Sequence, residues 1–225
     1  MFEKPRMLEL FCGRKCIGEV FKKKYDMVSL DYNPKFNATH TEDILEWDYT
    51  QYEPETFEVI WASPDCTTWS LASGGKYRRK NNIYSQHENG QKAERMIIRL
   101  LEMIEYFKPK MFFIENPRGL LQHFPPMKDL ESKNNKTLVY YGNYNWGFPK
   151  ATHIWSNIKL WENEKTPDMP PETYKLFYHN YDKIWKRFYY AMKKGNAESR
   201  SLIPPLLVEK IYSKVNEEIN NNTKK

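Results

Sequence analysis

Apolar residues in the first half of the chain come in short runs separated by amphipathic stretches. Met7–Phe11, Met27–Asp31, Val59–Ser63 and Met111–Ile114 are runs of this kind, each too short for a helix. A strand apolar at nearly every position is covered on both faces, as inside a parallel sheet. Between these runs, Ile17–Lys24 reads as a helix. Glu94–Phe107 places Met96, Ile97, Leu100, Leu101 and Ile104 on one helical stripe, with Glu and Arg opposite. Lys108–Pro109 stops that helix. A short extended piece, Ala38–Thr41, leads into Asp43–Ile44. The alternation predicts an α/β fold built on a doubly wound, mostly parallel, Rossmann-like sheet.

Beyond residue 120 the rhythm changes. Leu138–Trp146 and Ala151–Ile158 read as extended segments joined by a Gly147-Phe148-Pro149 turn, hence a hairpin at the sheet edge. Residues 162–200 are Pro-rich at first (Pro167, Pro170, Pro171), then aromatic and basic from Tyr174 to Lys194. Ile203–Ile219 closes as a helix, with Pro204 and Pro205 in its first turn and Leu206, Leu207, Ile211 and Val215 on one face. The expected organisation is a main domain from 1–158 plus 199–220, a small insert at 159–198, and a frayed polar tail at 221–225.

Composition narrows the class. A length of 225 residues suits one substantial domain, and 40% apolar with 16% aromatic residues excludes a disordered chain. The excess of 35 basic over 29 acidic residues, +6, is compatible with a polyanionic partner and equally with ordinary solubility charge. No apolar run approaches the roughly 20 residues of a membrane span. Glu3, Lys4, Arg6 and Glu9 stand where an export signal needs an apolar core. The three cysteines, Cys12, Cys16 and Cys66, are an odd number in a chain large enough to do without disulfides. An intracellular setting follows. Cys12 and Cys16 are not followed by a second Cys or His pair at ligand spacing, so no metal site is expected.

The chemistry-bearing residues fall at the ends of the predicted strands. The first strand runs into Phe11-Cys12-Gly13-Arg14-Lys15-Cys16-Ile17-Gly18, a glycine turn that lets a ligand approach the backbone. Eighteen residues beyond Gly13 the second strand ends at Asp31, where α/β nucleotide sites hold ribose hydroxyls. Asp43, followed by Ile44, suits an amino group and the face of a ring; it also suits a helix cap. The fourth extended run leads into Ala62-Ser63-Pro64-Asp65-Cys66-Thr67-Thr68-Trp69-Ser70, which puts a cysteine on a polar loop where open sheets place ligands. Gly74-Gly75-Lys76-Tyr77-Arg78-Arg79-Lys80 follows, a hinge and a cationic stretch suited to phosphates. The next strand ends in Glu115-Asn116-Pro117, which brings a carboxyl to the same sheet edge.

The order of glycine turn, Asp31, Asp43, Ser63-Pro64-Asp65-Cys66 and Glu115-Asn116 resembles the carbon-5 cytosine DNA methyltransferase family. Gly147-Phe148-Pro149-Lys150-Ala151-Thr152-His153-Ile154-Trp155 and Arg200-Ser201-Leu202-Ile203-Pro204-Pro205 extend the likeness to its small phage- and large-virus-type members. The resemblance implies the S-adenosylmethionine-dependent methyltransferase fold, with 159–198 as a minimal target-recognition insert. It implies S-adenosylmethionine held by Phe11, Gly13, Asp31, Tyr32, Asp43, Ile44, Pro64 and Ser201. Cys66 would be the nucleophile that adds to carbon 6, and Glu115 the partner of the ring nitrogen. Asn116, Lys150, Thr152 and His153 would line the base pocket, with Lys76, Arg78, Arg79 and Lys80 on DNA phosphates. The implied partner is DNA, as a duplex with a flipped cytosine or as a single strand, handled by a monomer without metal in a host's cytoplasm or nucleus. Methylation of an RNA cytosine, as in the tRNA-modifying branch, and a DNA-binding pseudoenzyme are the alternatives. Arg14-Lys15-Cys16 departs from the family's smaller turn residues. Asp65 replaces the usual Pro or small residue, and Lys150, Thr152 and His153 stand where the family offers Arg.

Overall fold

A computed structural model describes residues 4–73, 75–78, 81–144, 150–166 and 202–222. Six strands form one sheet: β1 (Arg6–Leu10), β2 (Asp26–Leu30), β3 (Phe57–Ala62), β4 (Met111–Pro117), β5 (Asn135–Tyr140) and β6 (Ala151–Ser156). Their order is β2-β1-β3-β4-β6-β5. The first four are parallel, and β6 and β5 extend the sheet as an antiparallel hairpin. This is the expected doubly wound arrangement, and β1 to β4 coincide with the four apolar runs.

Both faces of the parallel part are covered, which is why those runs do not alternate. Leu8, Leu10, Ile60, Ala62, Phe112 and Ile114 face one cluster; Met7, Val59, Trp61, Met111 and Phe113 face the other. Helices α1 (Cys16–Phe21) and α4 (Pro205–Asn222) cover the second cluster, and α2 (Glu88–Phe107) and α3 (Pro125–Lys133) the first. Leu207, Val208, Ile211 and Val215 of α4 are all fully buried. At roughly 1.5–3 kcal/mol for each such side chain, docking of α4 contributes on the order of 10 kcal/mol before entropy is subtracted.

The structure departs from the sequence expectation in five respects. Helix α2 begins at Glu88 rather than Glu94, because tertiary contacts hold its polar first turns. Gly90 packs there so closely that a Cβ would lie 2.1 Å from Ser85 Oγ. Glu94, expected on the solvent face, is buried in an ion pair with Arg78. Helix α3 was not foreseen; Pro125 opens it, and only Met127 is buried, so its periodic signal is weak. β5 starts at Asn135 and gives way after Tyr140 to a 3-10 turn, Tyr141–Tyr144. Ala38–Thr41 contributes only a bridge, His40 to Leu30. The Gly147-Phe148-Pro149 turn and residues 167–198 of the insert lie outside the described residues, as does most of the polar tail. Among the described residues, no helix is long and apolar enough to cross a membrane.

Candidate active site

From β1 the chain winds outward to β2, then crosses back to β3 on the other side of β1. The loops leaving β1 and β3 therefore part at the carboxyl end of the sheet and leave a crevice between them. A cleft of about 370 Å³ opens there, lined by Phe11, Asp31, Tyr32, Asp43, Ile44 and Pro64 among others. These six are among the residues that the family resemblance implies for the cofactor. The fold brings them together from four separate segments.

Asp31 clasps the glycine turn. Its Oδ2 accepts the Gly13 N–H at 2.9 Å and its Oδ1 the Asn33 N–H at 2.9 Å. Gly13 adopts a left-handed φ of +47°, which glycine tolerates without cost. Lys15, two residues on, adopts φ +56° without that freedom, at a cost of about 1–2 kcal/mol. Asp43 is held by Lys92 of α2, whose Nζ lies 2.6 Å from Oδ2, and by the Leu45 N–H on Oδ1. Burial works to raise the Asp43 pKa, but Lys92 and the Leu45 N–H outweigh it and keep the carboxyl below its ordinary range. Lys92 also lines the cleft; no sequence signal singled it out.

Cys66 sits on the loop after β3, half-buried. Three contacts fix that loop: Asn116 Nδ2 donates to Pro64 O at 2.9 Å, Trp69 N to Cys66 O at 3.1 Å, and Leu120 N to Trp69 O at 2.8 Å. The last requires Gly119, where a Cβ would lie 2.6 Å from Trp69 O. Asp65 turns its carboxylate onto Thr67, accepting from Oγ1 at 2.7 Å. Burial pushes the Cys66 thiol up; Lys150 opposes this, while Asp65 and Glu115 add to it. Lys150 is thus the cation that favours the thiolate.

Glu115, near the end of β4, is only 4% exposed. Its Oε1 accepts the Tyr141 hydroxyl at 2.9 Å and lies 3.6 Å from Lys150 Nζ. Lys150 also stands over the Tyr141 ring, 4.7 Å from its centroid. Cys66, Glu115 and Lys150, far apart in sequence, thus share one electrostatic neighbourhood beside the cleft.

Other expected site residues are placed elsewhere. In the β4–β6 register Glu115 faces Ile154 and Asn116 faces His153. Thr152 therefore lies on the Glu115 side, fully buried, and His153 on the opposite side against Trp155. Burial pushes the His153 pKa down to about 4, so its imidazole is neutral at working pH. Arg78 is not available to phosphate. Its guanidinium stacks on Trp69, 3.5 Å from the ring centroid, and pairs with Glu94 at 3.1 Å. The assignment of Arg78 to phosphate is therefore replaced by a structural one. Lys76 is exposed, while Arg79, Lys80 and Ser201 lie outside the described residues.

Glu9 was also missed, although a charge inside an apolar run was a readable signal. It is 3% exposed on β1, and its Oε2 accepts the Gly18 N–H at 3.1 Å. Burial pushes its pKa up to about 8. Among the described residues no group of three or more His, Cys, Asp or Glu is placed to hold a metal ion.

A family model for C-5 cytosine-specific DNA methylases matches residues 8–146. A protein of Frog virus 3 (isolate Goorha), named probable DNA (cytosine-5)-methyltransferase, is 30% identical over 167 residues, 68% of this chain and 71% of the relative. Among solved structures, the Entamoeba histolytica methyltransferase EhMeth has a TM-score of 0.52 at 12% identity, covering 74% of this chain. This chain spans 58% of that structure, and the likeness speaks for the fold alone. The chain belongs to the C-5 cytosine-specific DNA methylase family.

Proposed function

We propose that this chain transfers a methyl group from S-adenosylmethionine to carbon 5 of cytosine in DNA, through a covalent bond between Cys66 and the base. The observation that carries the reading is the grouping of Cys66, Glu115 and Lys150 beside a cleft whose lining includes Asp31 and Asp43. Family membership supplies the context: a methyl donor and a DNA substrate.

The cleft suits that donor. Asp31 keeps lone pairs for ribose hydroxyls beyond those given to Gly13 and Asn33. Asp43 can accept an exocyclic amino group, and Phe11 and Ile44 offer apolar walls for a ring. When bound, S-adenosylmethionine supplies an electrophilic methyl on its sulfonium.

Carbon 5 of cytosine is a weak nucleophile until a group adds at carbon 6. Cys66 as thiolate forms the sulfur–carbon 6 bond, Glu115 gives a proton to ring nitrogen 3, and the electron pair of the 5,6 double bond shifts to carbon 5. Carbon 5 then takes the methyl and loses its proton to solvent. The electron pair left behind by that proton restores the 5,6 double bond and expels Cys66 as thiolate, and Glu115 recovers its proton from the ring. A stacked base is out of reach of such a site, so the cytosine is flipped out or presented on a single strand.

The test is methyl incorporation from labelled S-adenosylmethionine into duplex DNA, single-stranded DNA and tRNA. DNA should be labelled by the wild type and not by Cys66→Ala. DNA carrying 5-fluorocytosine should form a denaturant-resistant adduct that Cys66→Ala loses. Labelling of tRNA alone, or an equal adduct yield in the variant, would overturn the reading.

A further inference from the structure

Resting on the reading of Glu115 as the group that protonates the base, a second residue of the site can be assigned. Tyr141 begins the 3-10 turn after β5, and its N–H donates to Lys150 O at 3.0 Å. Its side chain is fully buried, and its hydroxyl donates to Glu115 Oε1 at 2.9 Å. Lys150 Nζ approaches the same oxygen, at 3.6 Å. Among the described residues, the side-chain hydrogen bond and the ion pair of Glu115 both fall on Oε1. A phenol buried beside a carboxylate keeps its proton, because an anion there would be desolvated and repelled; its pKa is raised well above the ordinary value. Tyr141 is therefore a permanent donor.

A carboxyl carries one proton on one of two oxygens. An oxygen already accepting from a phenol and facing an ammonium is the worse place for it. We propose that Tyr141 is a positioning residue that holds Glu115 Oε1 as an acceptor, so that Oε2 is the oxygen that carries the proton and delivers it to the base. Lys150 reinforces the choice. Tyr141 thereby sets the orientation of the carboxyl plane and which of its oxygens is left for the base.

Tyr141→Phe keeps the ring and its packing and deletes only the hydroxyl. The expected result is a fall in kcat of about 10- to 100-fold, the scale of one hydrogen bond to a charged group. KM for DNA and affinity for S-adenosylhomocysteine, measured by calorimetry, should stay within about twofold. The lost hydroxyl favours the carboxylate over the carboxyl, so the alkaline limb of the kcat profile should move to higher pH. A structural role alone would lower the melting temperature and leave that limb in place. Fluorotyrosine incorporated at position 141, a stronger donor of nearly the same shape, should move the limb the other way and serves if the Phe variant does not fold. Glu115→Gln is measured alongside. If Glu115→Gln abolishes turnover while Tyr141→Phe changes neither kcat nor the pH limb, the positioning role is overturned and the reading of Glu115 stands. If Glu115→Gln retains wild-type turnover, that reading fails and takes this inference with it. In the Glu115→Gln background, Tyr141→Phe should cost little more.

Discussion

Replacing Arg78 with Met separates two accounts of the cationic stretch beside Cys66. The Arg78 side chain is fully buried, although it belongs to a run that reads as a phosphate-binding loop. Its Nε donates to Thr68 O at 3.1 Å, Nη2 to Gly90 O at 2.9 Å, and Nη1 to Glu94 Oε1 at 3.1 Å. The planar guanidinium also stacks on Trp69, next to Thr68 in the Cys66 loop. Arg78 therefore fastens that loop to the start of α2. Met fills the volume but leaves Glu94 without its cation and two buried carbonyls without donors. Breaking a buried pair from one side costs about 3–5 kcal/mol, a large share of the roughly 5–15 kcal/mol that stabilises a domain. At about 2–4 °C per kcal/mol for a chain of this size, the melting temperature should fall by about 10 °C. Arg78→Lys should recover little, because an ammonium cannot reproduce the planar fork or the stack. Thermal unfolding followed by circular dichroism measures the fall, and DNA binding across a salt series measures the alternative. A variant with wild-type melting temperature and a salt slope flattened by about one unit would show that Arg78 contacts phosphate and that the clamp is wrong.

Three further outcomes are expected. Asp65→Asn should lower the Cys66 pKa and speed its alkylation at neutral pH, whereas Lys150→Met should slow it; iodoacetamide rates across a pH series read both. Glu9 holds its proton up to about pH 8 when folded but ionises near its ordinary 4.5 when unfolded, so its contribution is full below about 4.5 and is lost as pH rises to about 8. Glu9→Gln should remove that component of the pH dependence, read by urea unfolding at intervals across the window. Asp31→Ala and Asp43→Ala should each weaken binding of S-adenosylmethionine and S-adenosylhomocysteine alike, by about tenfold or more; calorimetry showing unchanged affinity for both would reduce these acids to structural caps.

The sequence by itself determined the parallel half of the fold. β1 to β4 are covered on both faces, so their positions are apolar throughout and stand out without any knowledge of neighbours. Asp31, Asp43, Cys66 and Glu115 were legible for a related reason: each follows the end of a recognisable strand or extended piece, and in a parallel sheet those ends share one edge. Glu9 was legible in principle, as a charge inside an apolar run. Helix α3 was not, because a short helix with one buried residue has almost no periodic signal.

What only the tertiary structure decided are choices that depend on a partner distant in the chain. Arg78 looks like its cationic neighbours; Glu94 and Gly90, brought beside it by α2, make it a buried clamp. Tyr141 reaches Glu115 across 26 positions, and no local pattern encodes that contact. Thr152 and His153 show the limit most plainly. The strand alternates whichever residue is inward, so its sequence offers both as equal candidates. The register of β6 against β4 sets Ile154 opposite Glu115, which turns Thr152 toward the Glu115 side and His153 away from it. A slip of one residue would exchange them, because side chains in a strand alternate with a period of two and pairing alone chooses the phase.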